Sequence, residues 1–290
     1  MRAFKYYFLF LVLILPWNEA LARKPDFFKY HRYHCSKTVM TGVPVEYCFR
    51  DQSIVNSSDV IYFFHAHGGS ARSWFRQIPG TYIIQSILDL RGYRPQIISI
   101  SLGPEWALTQ HSALMSVFKD SIFPTVENLV MKGRKIRKRH LVAQSMGGLS
   151  ATSLALSEPE KFSRVALMCP ALTTLNPYGP ETEIERYKKK YFIRDEMLDK
   201  LLRLSRLIFP TKATWNSENI FSVLSHAQNT KHLKFYMTIG KYDGYGFQEG
   251  VERFYRLANQ KGIRSLKKIV PGGHCVFSHR GMAKFILGEL

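Results

Sequence analysis

A hydroxyl, an imidazole and a carboxylate in the right order make a nucleophile, and this chain offers all three. Ser145 sits in Ala143-Gln144-Ser145-Met146-Gly147-Gly148, between a β-rich run and a helical stretch. A nucleophile held on such a strand-to-helix turn needs small residues two before and two after it. Gly147 fills the second place. Ala143 fills the first, where glycine is more usual and alanine is the least demanding replacement. A serine hydroxyl is a weak nucleophile until a neighbouring base takes its proton. His274, in Pro271-Gly272-Gly273-His274, is the candidate base, because it follows the last β-rich run whereas His279 falls in a helical stretch. Asp243, in Gly240-Lys241-Tyr242-Asp243-Gly244, is the candidate acid that fixes the imidazole tautomer. Glu249 lies in a helical stretch, and Asp195 and Asp199 lie in a segment with no strands.

Acyl transfer also needs preorganised donors for a developing oxyanion. The N–H of Met146, at a helix start, is one candidate. The other is expected in His65-Ala66-His67-Gly68-Gly69-Ser70, where glycines let the backbone approach a ligand. Gly69 is favoured there, with Gly68 or Ser70 as alternatives. A metal site on His65 and His67 is disfavoured, since no carboxylate or cysteine accompanies them in that loop. Trp74 and Trp106 follow strand ends and are expected to line the substrate pocket, with core or rim packing as the other reading.

These residues need elements to position them. Apolar β-rich runs at 60–64, 96–102, 140–143, 164–168, 234–239 and 266–270 alternate with helical stretches. Continuous apolar strands separated by helices predict a mainly parallel sheet covered on both faces. In such sheets ligands sit beyond the carboxyl ends of the strands. Each residue singled out above follows a strand. Residues 173–231 break the alternation. Ile184, Tyr187 and Tyr191, then Met197, Leu198, Leu201, Leu202 and Ile208, recur at helical spacing. This segment is expected to be a helical cap inserted over the strand ends.

The chain has 290 residues and a formal charge of +19. The densest basic runs are 132–140 and 186–190. No recognition motif or regular aromatic interleaving accompanies them, so nucleic acid is not the expected partner. A solvated basic face is one reading; attraction to an anionic envelope or membrane surface is the sharper one. Arg2 and Lys5, an apolar run at 6–15 and Ala20-Leu21-Ala22 follow the order of a secretory signal peptide. The run is too short to span a bilayer as a helix. Cleavage after Ala22 would leave residues 23–290 as one domain with its cap, exported to the periplasm or secreted. Export permits disulfides. Cys35 and Cys48 are equally far from a turn at Thr41-Gly42, so in a hairpin they face each other and are predicted to bridge. No pairing follows for Cys169 and Cys275.

Through His67-Gly68-Gly69, Ala143-Gln144-Ser145-Met146-Gly147, Asp243 and His274, the chain resembles exported esterases of the α/β-hydrolase superfamily from about residue 60 to its end. The resemblance implies an eight-stranded core, a cap after the sixth strand and no cofactor. It also implies a small-molecule or lipid-like ester as substrate. The leading reading is a serine hydrolase that cleaves a carboxylic ester through an acyl-enzyme. A peptidase or acyltransferase on the same triad is the alternative, and a non-catalytic binding protein the third reading.

Overall fold

The computed structural model describes residues 31–75 and 79–290. The leader expected at 1–22 lies outside the described residues.

The chain opens with a hairpin of β1 (Tyr33–Met40) and β2 (Val43–Arg50). Thr41 and Gly42 both take positive φ, 49° and 79°. That is the turn geometry whose twist matches two antiparallel strands. The register sets Cys35 opposite Cys48, and the two form a disulfide.

β3 (Val60–Phe64), α1 (Pro79–Leu90) and β4 (Gln96–Ser101) follow. α2 (Ala113–Val117) runs through a π turn at Phe118–Ile122 into α3 (Phe123–Met131). β5 (Arg139–Gln144), α4 (Met146–Ser157) and β6 (Arg164–Met168) come next. The eight strands form one sheet in the order β1-β2-β4-β3-β5-β6-β7-β8, with β7 at Lys234–Gly240 and β8 at Arg264–Val270. β3 to β8 pair in parallel; β2 alone runs against them, antiparallel to both β1 and β4.

Alternation along β3 divides the core. Tyr62 and Phe64 pack with α3 and α4 on one face; Ile61 and Phe63 pack with α1 and α10 (His279–Leu287) on the other. α9 (Phe247–Gln260) closes the first face beside β7. α4 is buried from Met146 to Leu156, which suits the central helix beneath the site.

Between β6 and β7 lie α5 (Glu181–Tyr191), α6 (Asp195–Ile208), α7 (Lys212–Glu218) and α8 (Ile220–His226). Leu198 and Leu201 of α6 and Trp215 of α7 join the first-face core, so these helices are fused to the body. Tyr187 of α5 donates from its hydroxyl to the carbonyls of Tyr245 and Gly246, at 3.1 and 2.9 Å. Burial and that tether hold α5 against the loop that carries Asp243. No helix among the described residues is long and apolar enough to cross a membrane.

Candidate active site

Ser145 stands between β5 and α4 with φ 48° and ψ −115°. A non-glycine residue there is strained, and such strain persists only where the surroundings over-determine it. Here they do. The Ser145 N–H donates to the Met168 carbonyl at 2.9 Å, and its own carbonyl accepts from Gly148 and Ala171, both at 2.8 Å. Gly147 is required because a Cβ would meet the carbonyls of Phe64 and His65 at the end of β3. Ala143 is fully buried inside β5, so its methyl is accommodated by the core.

The Ser145 hydroxyl lies 3.0 Å from His274 Nε2. His274 Nδ1 lies 2.6 Å from Asp243 Oδ2. The other Asp243 oxygen accepts the Tyr245 N–H at 2.9 Å, so the buried carboxylate has both oxygens oriented. The imidazole stands edge-on to the rings of Tyr245 and Phe247, 4.9 and 5.6 Å between centroids. Cys275, next to His274, is disulfide-bonded to Cys169 at the end of β6, with 5.0 Å between Cα atoms. The loop carrying the imidazole is thereby fastened to the strand beside the serine. Sequence spacing gave no route to this pair. The available signal was position: one cysteine follows a strand and the other follows His274. Cys169, His274 and Cys275 are the one group of three close metal-capable side chains among the described residues, and both thiols are consumed in the bridge.

The expectation that Gly69 or Gly68 supplies the second oxyanion donor is corrected. The Gly69 N–H is spent on the Ala66 carbonyl at 3.0 Å, and the Gly68 N–H on the Pro104 carbonyl at 2.8 Å. Gly68, with φ 76°, serves the turn. Ala66 and His67 line the cavity in front of Ser145 instead. In a trans peptide the C=O and N–H point in opposite directions. The Ala66 carbonyl points back at Gly69, so the His67 N–H points out of the turn.

That peptide is held from behind by a side chain the sequence did not single out for this role. His65 is fully buried. Trp106 Nε1, a donor only, reaches His65 Nε2 at 3.0 Å, so Nε2 accepts and Nδ1 carries the proton. Nδ1–H then donates to the Ala66 carbonyl at 2.7 Å. Burial pushes the His65 pKa down, which keeps the ring neutral and this tautomer in place.

Trp74 and Trp106 do not line the cavity, a second correction. Trp74 is fully buried on the α1 face, where its indole donates to Gln85 at 2.8 Å. Trp106 is held inward by His65 and packs on Phe64. An indole N–H that finds a buried acceptor stays in the core. The tryptophan that does reach the cavity is Trp215, with Leu201, Leu204, Ile208 and Phe209 from the helices between β6 and β7, and Leu149 and Leu172 from the body. Ser145 and His274 lie in the wall of this cavity. Lys200, Asn219 and His67 are among the polar residues that line it.

The model of a family described as "Putative esterase" matches residues 35–286. No curated protein sequence matches the chain. Among solved structures, a ferulic acid esterase superposes with a TM-score of 0.61 at 14% identity, covering 89% of this chain and 95% of that one. An esterase from Pyrobaculum calidifontis superposes with a TM-score of 0.60 at 16% identity, covering 90% and 84%. A fungal esterase from Rhizomucor miehei gives 0.61 at 16% identity, covering 89% and 82%. At such identities the likeness speaks for fold, and the fold shared is that of the α/β-hydrolases.

Proposed function

The chain belongs to the esterase family, and from that premise we propose that it hydrolyses a carboxylic ester through an acyl-enzyme formed on Ser145. The observation that carries this reading is the hydrogen-bonded row from Ser145 through His274 to Asp243 in the wall of an apolar cavity.

His274 Nε2 takes the hydroxyl proton as Oγ attacks the ester carbonyl. Asp243 holds Nδ1–H and stabilises the imidazolium. The N–H groups of Met146 and His67 receive the oxyanion, the first with help from the α4 dipole. His274 returns the proton to the departing alkoxide. It then activates a water that attacks the acyl-enzyme, which restores the Ser145 hydroxyl and releases the acid.

The helices at 181–226 act as the cap of this site. Their leucines and Trp215 exclude water from one side of the acyl group and favour a bulky apolar substituent. The 173–231 segment and the 23–290 body are read as one domain. The two disulfides support an oxidising compartment, in keeping with export of the chain after cleavage near Ala22. No cofactor is needed for this chemistry.

A fluorophosphonate probe is expected to label the protein and to leave Ser145→Ala unlabelled. Equal labelling of both removes Ser145 from the mechanism. A series of p-nitrophenyl esters beside peptide anilides separates an esterase from a peptidase. Faster anilide than ester turnover would overturn the ester assignment.

A further inference from the structure

The strands of the parallel sheet start at one end of the molecule, and the starts are basic. The register places Arg139 beside the start of β3, Arg164 beside His140, Lys234 beside Arg164 and Arg264 beside Lys234. Neighbouring strands lie about 4.8 Å apart, so this is a row of cations across the sheet. Lys132, Arg134, Lys135 and Lys138, all exposed, extend it through the loop that enters β5.

Three carboxylates at this end are engaged by cations, while Glu160 stands exposed 4.0 Å from His232. Asp59 pairs with Arg137, Glu127 with Arg139 and Glu158 with Lys161. Among the described residues, Lys132, Lys135, Lys138, Lys234 and Arg264 have no carboxylate partner. These five cations leave this face with a net positive charge.

The same face carries exposed leucines. α1 and α3 run back against the strands and end here. Their last turns present Leu90, 71% exposed, and Leu129, 49% exposed. α1 and α3 belong to opposite layers, so the cations are bracketed by an apolar side chain on each side.

We propose that this end of the molecule docks on an anionic lipid bilayer, with the strand-start cations on the headgroups and Leu90 and Leu129 at the acyl boundary. Cations supply the attraction to anionic headgroups, and flanking apolar side chains distinguish a bilayer from a soluble polyanion as the better-fitting partner. Ser145 follows the far end of β5, whose six residues at about 3.3 Å each span about 20 Å. Docked this way, the cavity opens away from the membrane. The enzyme is then a tethered hydrolase of esters presented from the aqueous side, and does not take its substrate from the bilayer beneath it.

The test is co-sedimentation of the purified protein with phosphatidylcholine vesicles, with and without phosphatidylglycerol, at rising salt. Binding is expected only with the anionic lipid and is expected to weaken with salt. At about fivefold per cation, Lys132→Gln/Lys135→Gln/Lys138→Gln should bind about 100-fold more weakly. Its turnover of a soluble p-nitrophenyl ester should be unchanged. Leu90→Ser/Leu129→Ser should weaken the binding that persists at high salt. Arg186→Gln/Lys189→Gln, on α5, should bind as the parent does. Equal binding to neutral vesicles overturns the proposal, as does an equal loss in the α5 variant. Binding to heparin or DNA without binding to vesicles replaces the lipid with a soluble polyanion. Loss of soluble-ester turnover on vesicles overturns the orientation.

Discussion

The two ring nitrogens of His65 make separable contacts, and two substitutions should pull them apart. Its Nδ1–H holds the Ala66 carbonyl at 2.7 Å, and its Nε2 receives the Trp106 indole at 3.0 Å and lies 2.8 Å from Ser101 Oγ. The first contact orients the peptide whose N–H is proposed to receive the oxyanion; the second satisfies a buried donor. Removing an oxyanion donor outright costs about 100- to 1000-fold in kcat. Losing only its alignment should cost about 10- to 100-fold. Leaving the Trp106 N–H unpaired should cost about 1–3 kcal/mol of stability. His65→Asn places an amide near the Nδ1 position and can keep the first contact while losing the second. It should retain most of kcat and melt lower. His65→Gln reaches the Nε2 position and can accept from Trp106 but not hold Ala66. It should keep its melting temperature and lose kcat, with KM within about threefold of the parent, since the oxyanion forms after binding. Steady-state kinetics on one p-nitrophenyl ester, with thermal melts of the same samples, read both effects. If both variants lose kcat and stability in parallel, or neither loses kcat, His65 is a core residue and the His67 donor assignment fails with it.

Three further outcomes follow from the packing. The Cys169–Cys275 bridge closes residues 106 apart, for which chain entropy gives about 4–5 kcal/mol. Cys169→Ala/Cys275→Ala should therefore melt roughly 10–15 °C lower at this chain length, and should also lose activity; a melting shift of only a degree or two refutes the loop-closure reasoning. Burial holds the His140 pKa down at about 4, against about 6.5 unfolded. Between those values the unfolded chain binds a proton that the folded one refuses, so stability is full above the unfolded value and falls by about 3 kcal/mol as pH drops to the folded one. Urea melts of the parent and His140→Leu should converge in pH dependence over that window only if this histidine is not responsible. Leu204→Trp, in the cavity wall, should cut kcat/KM for a p-nitrophenyl octanoate more than about tenfold relative to the acetate, because one large indole displaces several methylenes at about 0.8 kcal/mol each; an unchanged ratio places the acyl chain elsewhere.

The strand-helix alternation was readable because β3 to β7 are buried along nearly their whole length and carry mostly apolar residues, whereas β8, at the sheet edge, is half exposed and interrupted by Lys267 and Lys268. Ser145, Asp243 and His274 were readable for a related reason: each closes a strand, and parallel strands bring their ends to one rim. The stripe along α6 was visible at helical spacing. What failed was the reading of loops. Gly68 and Gly69 looked like open backbone, yet a tight turn consumes its own N–H groups, and their acceptors, Pro104 and Ala66, are invisible to spacing. Trp74 and Trp106 follow strand ends as a lining residue would. Their direction depends on Gln85 and His65, residues fixed only by the packed structure. Trp215 is indistinguishable in sequence from any other apolar residue of the helices around it. The Cys169–Cys275 pair required knowing which strand ends are neighbours.

The two bridges are sequential along the chain and do not interleave. A polypeptide threading N-terminus first into an oxidising space presents Cys35 and Cys48 together, on a hairpin whose turn already sets them face to face. Once that pair has closed, four thiols have become two, and the only partner left for Cys169 is Cys275. The correct connectivity can thus be reached by order of arrival, without shuffling, and a cytoplasm that keeps thiols reduced is the wrong place to produce this enzyme.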